Sequence, residues 1–129
     1  MHSHQSFVDP PALPHPVVLD ALERGIRDRA AEVPAASALV GIALNDDDQE
    51  FIESCCLEVG IRAATGNPLL GLAGLCLGHA ARRFGRLSDQ AIAMVESLAA
   101  RAEADPSDVD GRALDGRDDV RWYLRENAS

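Results

Sequence analysis

The chain has no lysine. Its 12 basic residues are all arginine, and 21 acidic residues bring the formal net charge to −9. A chain this acidic is poorly suited to phosphate backbones or anionic lipid surfaces, so nucleic acid and membrane are not the expected partners. A basic protein is compatible with it. Aromatic residues are also scarce, at 4%. Ala, Leu and Gly dominate the apolar 47% instead, a mixture that favours close-packed helices over a β-sandwich. The chain has three cysteines, two of them adjacent (Cys55, Cys56), which is no disulfide framework. Long apolar runs are missing too: the stretch from Leu69 to Leu77 is short and interrupted by Gly. The N-terminus carries no basic region followed by an apolar one, so no secretory signal is expected and a reducing, cytoplasmic setting is.

The 129 residues suffice for one domain with a modest core. Three dipeptides ending in proline set its rhythm: Val33-Pro34, Asn67-Pro68 and Asp105-Pro106, spaced by 34 and 38 residues. Each lies between two helix-like stretches, which suggests stacked helical hairpins, a build that usually binds. Residues 1–16, with four prolines and His2, His4 and His15, read as a flexible tail, mobile or draped over the first helix. From Val17 a helix follows, with Val18, Leu22, Ile26, Ala30 and Val33 on one face, ending at Pro34. A shorter helix, 35–44, turns Leu39, Val40, Ala43 and Leu44 inward. Asp46, Asp47 and Asp48 cap a third helix over 47–64, whose buried stripe is Phe51, Ile52, Cys55, Cys56, Val59 and Ala63.

Gly66 suits a left-handed C-cap, and Pro68 the first turn of a fourth helix, 68–84. That helix is apolar nearly all round and belongs at the centre. Gly71, Gly74 and Gly78 lie along one side of it and imply close approach by a neighbour. Ser88 caps a fifth helix, with Ala91, Ile92, Val95, Leu98, Ala99 and Ala102 inward, up to Asp105-Pro106. A sixth, 107–126, uses Val109, Ala113, Val120 and Leu124. Gly111 and Gly116 weaken it. The fold class expected for 17–129 is therefore all-α: six helices in three antiparallel hairpins, a compact HEAT-like α-solenoid. A sparse internal echo at an offset of 41, Asp48-Gln49 with Asp89-Gln90, Phe51 with Ile92 and Leu57 with Leu98, fits such a repeat.

The segment LAGLCLGHAARRFGRLSDQAIAMVESL, Leu72 to Leu98, resembles bacterial HEAT-repeat proteins, chiefly in LGHAAR followed by Gly and a Leu-Ser-Asp helix start. DGRALDGRDDV, Asp110 to Val120, is similar to the closing helix of small HEAT-like proteins associated with bacterial toxin-immunity loci. Gly116-Arg117 departs from that pattern by intervening between Leu114-Asp115 and Asp118-Asp119. The resemblance covers roughly Phe51 to Tyr123. It implies a non-catalytic immunity protein that neutralises a cognate toxin in the same cell.

The residues themselves suggest several chemistries, each with a plainer reading. Cys76 and His79 share a helical face, and Cys55 or Cys56 could join them as a metal cluster. The spacing of a structural zinc site is missing, however, so small buried apolar residues are expected there. The tail histidines could bind a transition metal loosely. The acidic run at Asp46–Asp48 lacks the calcium loop pattern and reads as capping. Asp115, Asp118 and Asp119, interleaved with Arg112, Arg117 and Arg121, form either ion pairs along the helix or an acidic patch for a basic partner. No serine sits in a nucleophile elbow, and no phosphate loop is present. We expect no cofactor, no metal and no catalysis. The expected partner-binding residues are Asp46, Asp47, Asp48, Glu50, Asp115, Asp118, Asp119 and Trp122. Trp122 would serve as an anchor or, more plainly, pack the last helix. The alternatives are an adaptor without inhibitory role and a metal-binding accessory protein or enzyme at Cys55, Cys76 and His79.

Overall fold

A computed structural model of the chain describes residues 10–126. They form six helices and, among the described residues, no strand: α1 (His15–Arg27), α2 (Glu32–Asn45), α3 (Gln49–Arg62), α4 (Pro68–Phe84), α5 (Asp89–Ala104) and α6 (Arg112–Glu126), with a 3₁₀ turn at Arg29–Ala31. The all-α expectation holds.

Most helix starts follow from local chemistry. Asp48 Oδ1 accepts the Phe51 amide at 3.0 Å, Asn67 Oδ1 accepts that of Leu69 at 2.9 Å, and Ser88 Oγ accepts that of Ala91 at 3.1 Å. Each satisfies a donor that the first helical turn leaves open. Gly85 closes α4 in the left-handed region at φ 72°. Gly66 has φ 85° but sits in the turn after α3, whose own C-cap is Ala63.

The first proline signal behaves otherwise. Helix α1 stops at Asp28, whose side chain accepts the Ala30 amide, and Pro34 lies inside the first turn of α2. A proline there removes no intrahelical hydrogen bond, so it fits a helix start as readily as an end. Ala30 and Val33 are consequently exposed, Val33 to 72%, and do not extend the α1 stripe. The last boundary also moves. Residues 106–111 form turns, and α6 begins at Arg112, where Asp110 Oδ1 accepts the backbone amide.

The helices alternate between two layers, α1, α3 and α5 in one and α2, α4 and α6 in the other. Each helix packs on the next and on the one after that. Sequence neighbours are antiparallel, as the bridges Glu96–Arg121 and Glu103–Arg117 between α5 and α6 require. Within a layer the helices run parallel: Glu23 of α1 meets Arg62 of α3, and Gly71, Gly74 and Gly78 of α4 meet Asp110, Ala113 and Gly116 in order. Helix α4 is buried on nearly every side and makes its most extensive contact with α6.

That contact is where small residues decide the geometry. A Cβ placed on Gly116 would stand 2.0 Å from the Gly74 carbonyl oxygen, and one on Gly78 would stand 3.0 Å from the Gly116 Cα. Backbone meets backbone here. Gly116, a weak point by propensity alone, is what lets α6 reach α4. Its burial repays the propensity cost of about 1 kcal/mol.

Residues 10–16 depart from the flexible tail expected over 1–16. His15 and Pro16 belong to α1. Residues 10–14 cross α2, not α1, with the Pro11 carbonyl against Gly41 and the Pro10 carbonyl accepting from Asn45 Nδ2 at 2.8 Å. His2 and His4 lie outside the described residues. The internal echo shifts as well: the equivalent N-caps are Asp48 and Ser88, one residue short of the offset of 41, so half-buried Leu57 does not correspond to buried Leu98.

Candidate functional site

The acidic corner between α2 and α3 divides by role. Asp46 is a structural residue. Its carboxylate accepts the Asp48 amide at 2.8 Å and pairs with His15 Nε2 at 2.8 Å. Burial pushes this carboxyl up, but the Asp48 amide, His15 and the Arg83 charge outweigh it and hold it below the ordinary carboxylate range. The His15 ring lies flat on Phe51, with centroids 3.6 Å apart. A histidine expected in a loose tail instead fastens the start of α1 to this corner. Asp48 is the N-cap of α3. Only Asp47 and Glu50 are exposed with their carboxylates largely uncommitted; Asp47 approaches Arg83 at 3.5 Å while its side chain stays fully exposed.

Arg83 belongs to the corner and the sequence reading missed it. Its Nη1 donates to the Ala43 carbonyl at 2.9 Å, one of the free acceptors at the end of α2. An arginine in the last turn of a helix pairs most simply with its own helix, so nothing local pointed across to α2.

The α6 cluster resolves differently. Arg117 pairs with Glu103 and Arg121 with Glu96, both across to α5, while Arg112 folds back to Asp110 and reaches the Pro68 carbonyl. Ion pairing along α6, the plainer expectation, is therefore not what these arginines do. Asp115 and Asp118 are exposed and make no salt bridge among the described residues. Asp119 is half-buried against Gly78. Trp122 is 53% exposed, with the Arg125 guanidinium 5.6 Å from its ring centre. Tyr123, not Trp122, packs toward the core. Asp115, Asp118 and Trp122 follow i, i+3, i+7 and share one outer face of α6.

The corner and the α6 face are not one surface. Helix α4 lies between α2 and α6, which sets them about 20 Å apart at ordinary interhelical spacing. The last turn of α4 carries Arg82 and Arg83, of which Arg83 reaches the end of α2.

The cysteines carry no reactive site. Cys55, Cys56 and Cys76 are buried. Burial pushes the thiols of Cys55 and Cys76 up to about 12 and raises that of Cys56 as well. They stay protonated at neutral pH and pack as small apolar side chains. Among the described residues no group of three His, Cys, Asp or Glu side chains is arranged to hold a metal ion, and Cys55, Cys76 and His79 form no such group.

A second surface was absent from the sequence reading. Leu57, Ile61 and Met94 line an apolar groove between α3 and α5, with Ile61 71% exposed and Met94 lying over Gly60. The signal was present: Leu57 and Ile61 are the apolar residues of α3 left over once its buried stripe is assigned.

No helix among the described residues is long and apolar enough to cross a membrane. Comparison with models of protein families finds no match, and comparisons with curated proteins and with solved structures find none either.

Proposed function

We propose that the chain is a non-catalytic protein-binding module of HEAT-like build. Its α6 face docks a basic partner, and that partner is a toxin neutralised by occlusion in the cytoplasm of a bacterial cell. The observation that carries the docking surface is the set Asp115, Asp118 and Trp122: two carboxylates without salt bridges among the described residues, beside a half-exposed aromatic ring, on the face that the neighbouring arginines have turned away from. Aromatic anchors supply much of the energy of protein interfaces, and flanking charges set orientation and encounter rate. The alternating two-layer packing, in which every helix touches its first and second neighbours, supports the HEAT-like reading. Immunity to a toxin rests on the sequence resemblance alone.

The apolar groove at Leu57, Ile61 and Met94 favours a second reading. A surface on the other layer would let the chain hold two proteins at once, as an adaptor does.

The test starts with co-purification from the native host and identification of the bound protein. Calorimetric titration with that partner then compares the wild type with the double variant Asp115→Arg, Asp118→Arg. The expected result is affinity at least about tenfold lower and a flatter salt dependence. Unchanged affinity and salt slope would remove the α6 face from the interface. Loss of the partner's activity at equimolar addition supports occlusion; binding with activity intact supports the adaptor.

A further inference from the structure

The two ends of the helical stack differ. At the α5–α6 end, the bridges Arg117–Glu103 and Arg121–Glu96 cover the outer surface with charge, as the terminal unit of a helical stack requires. At the α1–α2 end, among the described residues, no bridge between an arginine and a carboxylate joins the two helices. There Val17, Ala21, Ala30, Ala31 and Pro34 line a trough, with Val17 48% exposed. The charged side chains in the trough are Asp20 and Arg24, one turn apart on α1 and paired to each other at 3.0 Å while both remain largely exposed.

We propose that this end is covered by a second copy of the chain in a closed, two-fold dimer. Two features of the charge pattern select a copy of itself over another protein. First, an isologous interface sets residue i against j and j against i. With the two α1 helices antiparallel across the axis, Asp20 of each copy faces Arg24 of the other, so both charges keep an opposite partner when the trough closes. Second, the chain as a whole carries −9 and repels its own kind, yet this hairpin is nearly neutral. Between Val17 and Pro34, Arg24, Arg27 and Arg29 stand against Asp20, Glu23, Asp28 and Glu32. The repulsion that two copies feel elsewhere is least at this end. Small residues at Ala21, Ala30 and Ala31 let the two helical surfaces approach closely.

Sedimentation of the full chain over a range of concentrations tests this. The wild type should pass from monomer to dimer and stop there, since a two-fold contact closes on itself. Val17→Asp places a carboxylate in the first turn of α1, where the helix dipole favours it, so the fold should survive, with unchanged circular dichroism, while the dimer is lost. Asp20→Arg alone and Arg24→Asp alone should each raise the dissociation constant about tenfold by setting like charges opposite. The double exchange Asp20→Arg, Arg24→Asp should restore it. A wild type that stays monomeric overturns the proposal and leaves the trough to a different protein. A dimer indifferent to Val17→Asp, or a double exchange no better than its single parents, overturns it equally.

Discussion

Single residues hold the turns of this protein together, and Asp108 does most at the α5–α6 turn. Its carboxylate takes two hydrogen bonds from Arg101, at 2.9 and 2.7 Å, and one from Thr65, while its carbonyl accepts the Gly66 amide at 2.8 Å. The turn after α3 is thereby tied to the turn after α5. The Arg101 guanidinium, with help from Thr65, holds this carboxyl at about 2, below its ordinary 3.8. A depressed carboxyl contributes its stability above the unfolded value and loses it as the pH falls through the folded one. Acid should therefore weaken the tie between about pH 4 and about pH 2. Asp108→Asn should lower the thermal midpoint at neutral pH and flatten the midpoint–pH curve across that window. A curve parallel to the wild type would show that the charge of Asp108 is not what Arg101 recognises. Gly116 makes a different kind of prediction. Gly→Ala in an exposed helix stabilises by about 1 kcal/mol, but at Gly116 the new Cβ meets the Gly74 carbonyl. Gly116→Ala should therefore cost about 1–3 kcal/mol or more in urea unfolding. Gly111→Ala, with nothing within 4 Å of the new atom, should stay within about 1 kcal/mol of wild type. Equal effects at the two sites would mean that α6 does not approach α4 through Gly116.

At the scale of the helix, caps were the most legible feature of the sequence. Asp48 and Ser88, expected as caps, are the N-caps observed, and Asn67 caps α4 directly before the Pro68 expected in its first turn. Local chemistry suffices there, because the acceptor and the free amide are only two or three residues apart. Ser88 does more than cap. Its hydroxyl and amide both donate to Glu53 of α3, at 2.6 and 3.2 Å, and Glu53 is 91% buried with Gln49 as a further donor. Asp48→Ala should cost about 1 kcal/mol in unfolding free energy. Ser88→Ala should cost more, since Glu53 loses a partner inside the fold. Equal losses in chemical denaturation would reduce Ser88 to a cap alone. The prolines were less legible. Pro34 and Pro68 both sit in a first helical turn, yet the same residue type could equally mark an end, and only the exit of the chain at Asp28 settles which. The arginines of α6 were legible least. Spacing puts them within reach of aspartates on their own helix, but the antiparallel neighbour α5 offers Glu96 and Glu103 in better positions.

For the whole molecule, α4 is the common element. It touches α2, α3, α5 and α6, whereas α1 and α2 form one end of the stack. Hydrogen exchange should therefore be slowest in the amides of α4 from Leu70 to Ala80 and faster in α1, which packs chiefly on α2 and α3 and meets the first turn of α4 near Gly25. Equal protection along the chain, read by mass spectrometry, would contradict a centre at α4. The sequence by itself determined that the protein is helical, where three of its helices (α3, α4 and α5) begin, which helix is central and that glycines on that helix admit a close neighbour. These follow from periodicity, capping and side-chain volume, all of which act within a few residues. Tertiary structure alone decided that the neighbour is α6, that Gly116 meets Gly74, that His15 stacks on Phe51, and that Asp46 is consumed while Asp115 and Asp118 stay open. Those outcomes depend on which groups compete for the same partner across helices some 30 to 40 residues apart in sequence, and composition and spacing carry no record of that competition.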